Sequence, residues 1–298
     1  MRKQIKFRKQ RDLGAIITDT FSFYRNHAKS FFTVFLKHVG PLILLTTAVS
    51  AYVQRSAGSL MTFDDASSQS DVDFFSSTFG KALTELSALS FLSVIASFVT
   101  YAALITCVLY CVKSVLDDGE IIEANVVKNM RSRFFSFMGA LLLVTVVSLV
   151  GSLFLLIPGI YLFVTLSLIF AIMVFKNQPM IEAFNSCFSL IKSNWWITFL
   201  TLIIIGLLVS FISGVFQLPM IVLGLIEGFT SASQSGSLSL DYMGSWLYIT
   251  FYVVATIASY VLMTISVISS TLIYFNLDEF HNSTGQLEEI EKIGEENL

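Results

Sequence analysis

The chain alternates between long uncharged apolar runs and short stretches where charges collect. The clearest pair of runs flanks Leu156-Ile157-Pro158-Gly159-Ile160-Tyr161. Phe134 to Leu156 carries no charge, and neither does Ile160 to Phe175. A helix needs about 20 apolar residues to cross a bilayer. Pro158 removes a backbone donor and Gly159 accepts positive φ, so the pair predicts a sharp reversal between two antiparallel membrane helices. Four further runs predict spans near residues 31–53, 86–112, 196–225 and 246–274. The first is interrupted by Lys37 and His38, so a shorter span from Val39 also fits, and Gly40-Pro41 predicts a kink. Gly214 and Pro219 are expected to bend or end the fifth.

The connecting stretches follow a second pattern. Leu13, Ile16, Ile17, Phe21 and Tyr24 recur at helical spacing among Asp12, Asp19, Arg25 and Lys29. Residues 121–133 and 178–194 are amphipathic in the same way. Each predicts a helix lying on the membrane surface, where basic side chains meet anionic head groups. Trp195 and Trp196 follow the last of these and suit the aromatic belt of the interface. Asp117-Asp118-Gly119-Glu120 reads as a turn.

The surface stretches share one plan. Ile16-Ile17-Thr18-Asp19 leads through Arg25 and Lys29 to Phe31-Phe32. Ile121-Ile122-Glu123-Ala124 leads through Lys128, Arg131 and Arg133 to Phe134-Phe135. Met180-Ile181-Glu182-Ala183 leads through Lys192 to Trp195-Trp196. Each opens a predicted two-span hairpin. Internal duplication explains this, and so do the general preferences of any surface helix. The predicted fold is all-α: an integral membrane helical bundle of six transmembrane helices as three hairpins, each preceded by a cytoplasmic amphipathic helix. Its parts are a basic interfacial segment (1–30), a six-span membrane domain (31–275) and an acidic cytoplasmic tail (276–298).

Composition agrees with a membrane protein. Only 13% of residues are charged and 55% are hydrophobic, against about a quarter charged in soluble domains. The charges are segregated. The N-terminal cluster, Lys113, Lys128, Arg131, Arg133, Lys176, Lys192 and Lys292 fall on one predicted side, and only Arg55 and Lys81 on the other. The positive-inside rule then puts both termini in the cytoplasm and the polar stretches 54–85 and 227–242 outside. Asp12 and Asp19 interrupt the apolar core that a cleaved signal peptide would need, so the N-terminus is expected to remain. Basic residues line membrane segments rather than a separate basic domain, which argues against nucleic-acid binding.

The stretch from Ile157-Pro158-Gly159-Ile160-Tyr161 through Glu182-Ala183-Phe184, Ser186, Ser189 and Ile191 to Trp196 resembles a family pattern. It is similar to the membrane domain of some bacterial glycerophosphodiester phosphodiesterases and to the YciC-like multi-span proteins. Leu13-Gly14 to Phe32 fits the same group. The resemblance implies a helical protein of the bacterial inner membrane. In the phosphodiesterases the chemistry belongs to a separate soluble barrel, which has no counterpart in these residues, so that activity does not transfer.

Candidate chemistry is sparse. Cys107 and Cys111 are one helical turn apart, Cys187 is alone, and His27, His38 and His281 are scattered. No zinc spacing, catalytic motif or phosphate loop appears, so neither metal nor cofactor is expected. Lys37, His38 and Glu227 are the notable polar residues. They are either intramembrane groups facing a cavity or boundary residues in water, and snorkelling near span ends favours the boundary. The expected role is non-enzymatic: membrane or envelope organisation through lipids or a protein partner at the cytoplasmic face. A transporter or lipid-handling protein is the alternative.

Overall fold

The computed structural model describes residues 6–58, 88–154, 156–235, 241–287 and 290. These residues are helical, with short connections and no strand among them. Nine α-helices are described: α1 (Leu13–His38), α2 (Gly40–Gly58), α3 (Ala88–Asp118), α4 (Glu123–Phe154), α5 (Leu156–Leu166), α6 (Ile169–Phe175), α7 (Met180–Ile191), α8 (Trp195–Ser235) and α9 (Trp246–Asn282). A 3₁₀ turn, Asp241–Gly244, precedes α9.

Five of the helical stretches are long and apolar enough to cross a membrane: α3, α4, α5 with α6, α8 and α9. Their mean hydropathy runs from 2.0 to 2.6. The α1–α2 pair, broken at Val39, meets the same test if taken as one span. Most of the predicted outer stretch 54–85 and the end of the acidic tail lie outside the described residues.

Several boundaries differ from the sequence reading. The predicted surface helix and the start of the first span are one helix, α1. Likewise, the stretch 121–133 does not form a separate surface helix: from Glu123 on it opens the continuous α4. Neither junction contains a Pro or Gly, so nothing interrupts the backbone hydrogen bonds. Only the third repeat keeps a break, at Lys192-Ser193-Asn194 between α7 and α8. Pro219 does not end the fifth span, because α8 runs through it to Ser235. The stretch read as loop from Glu227 is therefore helical up to that point.

The Pro-Gly reversal is also corrected. Pro158 and Gly159 lie in the first turn of α5, where a missing N–H costs little. Gly159 does not have positive φ. Its value is close approach: a Cβ there would overlap Ser152, coming 2.8 Å from its Cα and backbone N. Gly151 answers it, since its Cβ would lie 3.2 Å from the Gly159 Cα. Two glycines thus let α4 and α5 touch backbone to backbone, as small residues do in membrane hairpins. A turn does form at the predicted Asp117-Asp118-Gly119-Glu120. Gly119 takes φ +76° and its N–H donates to the Val115 carbonyl at 3.1 Å, closing α3.

The chain forms two compact units. The first comprises Met1–Val39, Tyr101–Val209 and Met263–Leu298. Its fully buried side chains include Phe23, Phe31, Phe35, Phe137, Leu104 and Ile172. Here α1 meets α9 through Thr20–Ser269 (3.0 Å) and Tyr24–Thr264 (2.6 Å) hydroxyl pairs. Phe175 packs on Phe275 with ring centroids 4.6 Å apart. The second unit comprises Gly40–Thr100 and Ser210–Leu262. In it Thr46 joins α2 to α3 through the Thr100 hydroxyl (2.7 Å), and the Arg55 guanidinium lies 5.1 Å over the Trp246 ring.

Candidate functional site: a basic cleft and a buried polar node

The first unit contains two polar sites. The first site is built where α1 ends and α4 begins. Lys37 and His38 are the last residues of α1, and Glu123 is the first of α4. The Lys37 Nζ donates to Glu123 Oε1 at 2.6 Å, and His38 Nε2 lies 2.9 Å from the same oxygen. Lys37 and His38 stand out in the sequence, whereas Glu123 shows there only as part of the repeated pattern, because 85 residues separate it from His38.

Beside this cluster opens a cleft of about 900 Å³. His38, Glu123, Val127, Lys128, Arg131 and Ser132 line it. Residues three and four apart share a helix face, so α4 alone supplies the wall from Glu123 to Ser132. Lys128 and Arg131 are exposed, and neither has an ion-pair partner among the described residues. Glu123 is already engaged by Lys37 and His38. Cations therefore outnumber carboxylates at this cleft. Arg133, two residues on, donates instead to the Asn177 side chain at 2.7 Å, where Asn177 turns the chain with φ +51°.

The second site is a polar node whose residues the sequence assigns to the basic interfacial segment and the acidic cytoplasmic tail. Arg11 is buried, and its guanidinium gathers the preceding segment. It donates to the Phe7 carbonyl at 2.5 Å, the Lys9 carbonyl at 3.2 Å and the Lys6 carbonyl. Its Nε reaches Asp19 at 2.8 Å, where Lys9 also pairs at 2.9 Å. Burial pulls the Arg11 pKa below its ordinary value, and the hydrogen bond and charge of Asp19 oppose the shift. The start of the chain is thereby held on the end of α9. The Arg11 N–H donates to Asn276 Oδ1 at 2.7 Å, and Phe7 packs on Phe275 at 5.9 Å.

Residues 276–282 are thus not free tail but the last turns of α9. Asp278 and Glu279 are buried there. Lys176 pairs with Asp278 at 3.3 Å, and the Gly285 N–H donates to Glu279 at 2.7 Å. A Cβ on Gly285 would lie 2.5 Å from the Arg8 carbonyl, so the segment before α1 packs tightly on the segment after α9. The signal in the sequence was the continuation of apolar spacing beyond Tyr274 through Phe275 and Leu277.

The remaining predicted residues are not gathered into either site. Glu227 is exposed on α8 and makes no ion pair among the described residues. Trp196 is 75% exposed, while Trp195 stacks on Phe199 at 5.0 Å and on Tyr161 at 5.7 Å. Pro158 and Gly159 serve the α4–α5 contact. All three cysteines are free and buried. No group of three or more metal-ligating side chains occurs among the described residues.

Long apolar helices with charged side chains collected at their ends define an α-helical membrane protein that crosses the bilayer several times. Compared with protein-family models, curated proteins and solved structures, the chain matches none.

Proposed function

We propose that this is a non-enzymatic protein of the bacterial inner membrane, similar to the YciC-like group, which organises the membrane or envelope through its cytoplasmic face. One observation carries the reading: every described lysine and arginine except Arg55 belongs to the unit that contains both chain ends. Such segregation is the mark of a cytoplasmic face. The contact of Arg11 with Asn276 supports an even number of crossings, because two ends that touch share one side of the membrane. With the α1–α2 pair counted as one broken span, the number is six. The non-enzymatic reading is supported by where the charged groups are engaged. Glu123, Arg11 and Asp278 each hold two chain segments together, which suits a fixed platform for lipid or a recruited protein.

The test is extraction of the full chain from native membranes in mild detergent, followed by mass spectrometry of what accompanies it. The expected result is a stoichiometric protein partner or a specific lipid. Catalytic turnover that depends on one side chain would overturn the reading.

A further inference from the structure

The cleft at the start of α4 continues into an apolar path. Successive residues of an α-helix are about 100° apart. Lys128, Arg131, Phe135, Leu142, Leu149 and Leu153 therefore fall within an arc of about 60° on α4. The four apolar members are all well exposed, Phe135 by 76% and Leu153 by 77%. Gly151, which faces α5, and the buried Val126, Phe137 and Ala140 lie on the opposite side of the helix. From Phe135 to Leu153 the stripe runs about 27 Å at the helical rise, close to the thickness of a bilayer core. One end of this stripe is the cation pair, and the pair opens onto the cleft.

We propose that this face of α4 is a binding site for a lipid with an anionic phosphate head group. The phosphate lies in the cleft against Arg131 and Lys128, and an acyl chain lies along Phe135 and Leu142. The charge pattern selects this occupant. A guanidinium and an ammonium without carboxylate partners offer several donors to phosphate oxygens, and Arg can do so through two bonds at once. Glu123, engaged by Lys37 and His38, tempers the positive charge and repels a multivalent anion more than a singly charged phosphodiester. A zwitterionic head group presents its own cation to the same residues and binds less well. A soluble phosphate has no use for the stripe, which is why the site is assigned to a lipid.

The experiment is native mass spectrometry of the full chain in mild detergent with equal amounts of phosphatidylglycerol and phosphatidylcholine. The expected result is preferential retention of phosphatidylglycerol. The double variant Lys128→Gln, Arg131→Gln should weaken that retention about tenfold, the loss expected for charge-assisted hydrogen bonds. Lys192→Gln, which removes an exposed charge elsewhere, should leave it unchanged. Glu123→Gln should strengthen it, a gain that impaired folding cannot imitate. Equal retention of the two lipids, indifference to the double variant, or an equal loss with Lys192→Gln would overturn the proposal. So would displacement of the lipid by inorganic phosphate at comparable concentration, which would mark a soluble-anion site. Selective retention also supports the lipid arm of the function proposed above, but its failure leaves a recruited protein partner and the sidedness of the chain ends untouched, so the two can fail separately.

Discussion

Arg11 shows how one side chain can shape a terminus. Three carbonyls in the segment before α1 accept from its guanidinium, and Asp19 supplies the counter-charge. Substituting Arg11→Ala leaves those carbonyls without their donor and Asp19 with Lys9 alone. Because Asp19 is only half-buried and keeps Lys9, the cost is below the roughly 3 kcal/mol of breaking a fully buried pair. The expected outcome is a lower thermal midpoint in detergent and faster proteolysis within the first ten residues, and an unchanged digestion pattern would contradict the clamp. Cys187, on the short helix α7, is fully buried. Burial pushes its thiol up to about 12, against a backbone hydrogen bond that works the other way. A raised pKa favours the protonated form in the fold. The thiol's contribution to stability is thus intact below about pH 8.5, where the unfolded thiol begins to ionise, and it declines as pH rises toward the folded value. A soluble maleimide should leave Cys187 unmodified at pH 8 and label it once the protein is unfolded in detergent. Rapid labelling of the native protein would show the thiol to be accessible.

At the scale of elements, the contact between α4 and α5 rests on the absence of side chains at Gly151 and Gly159. The Pro-Gly pair predicts a reversal, and α4 and α5 do touch at Gly159, but the glycine serves packing rather than the turn. A Cβ at Gly159 collides with the backbone of Ser152, which cannot rotate away. Gly159→Leu should therefore destabilise the protein by about 2 kcal/mol, the scale of overpacking. Gly206→Ala, in α8, meets nothing within 4 Å and should be neutral or slightly stabilising. Thermal unfolding of the two variants side by side checks the contrast, and equal midpoints would refute it. The merging of surface and spanning segments into α1 and α4 has a related origin. Helical periodicity shows which residues share a face. It does not show where one helix stops unless a Pro, a Gly or a capping residue marks the place. Asp12 is such a mark, accepting from the Ala15 N–H at 2.7 Å where α1 begins.

For the whole molecule, the two ends of the chain are the informative feature. Phe7 on Phe275 and the Arg11 N–H on Asn276 bring the start of the chain to the end of α9. Reporter domains that mature only in the cytoplasm should therefore be active when fused at either terminus. One active and one silent fusion would require an odd number of crossings and would overturn the six-span reading. The positive-inside pattern assigns a side to the two termini, and the tertiary contact independently requires only that they share one.

The apolar runs, the helical class and the segregation of basic residues were legible in the sequence, because hydropathy and charge are local properties summed along a window. Asp19, Asp278 and Glu279 were legible only as charges, in a surface helix and a tail. The burial of Asp278 and Glu279 and the partners of all three were set by how distant segments pack, as was the meeting of Lys37, His38 and Glu123. Lys37 and Glu123 are separated by 86 residues, and no local pattern encodes which carboxylate a lysine will find. The sequence determined that the chain enters a membrane and which of its ends carry charge. The tertiary structure decided which of those charges are consumed in holding helices together and which, at Lys128 and Arg131, are left facing outward.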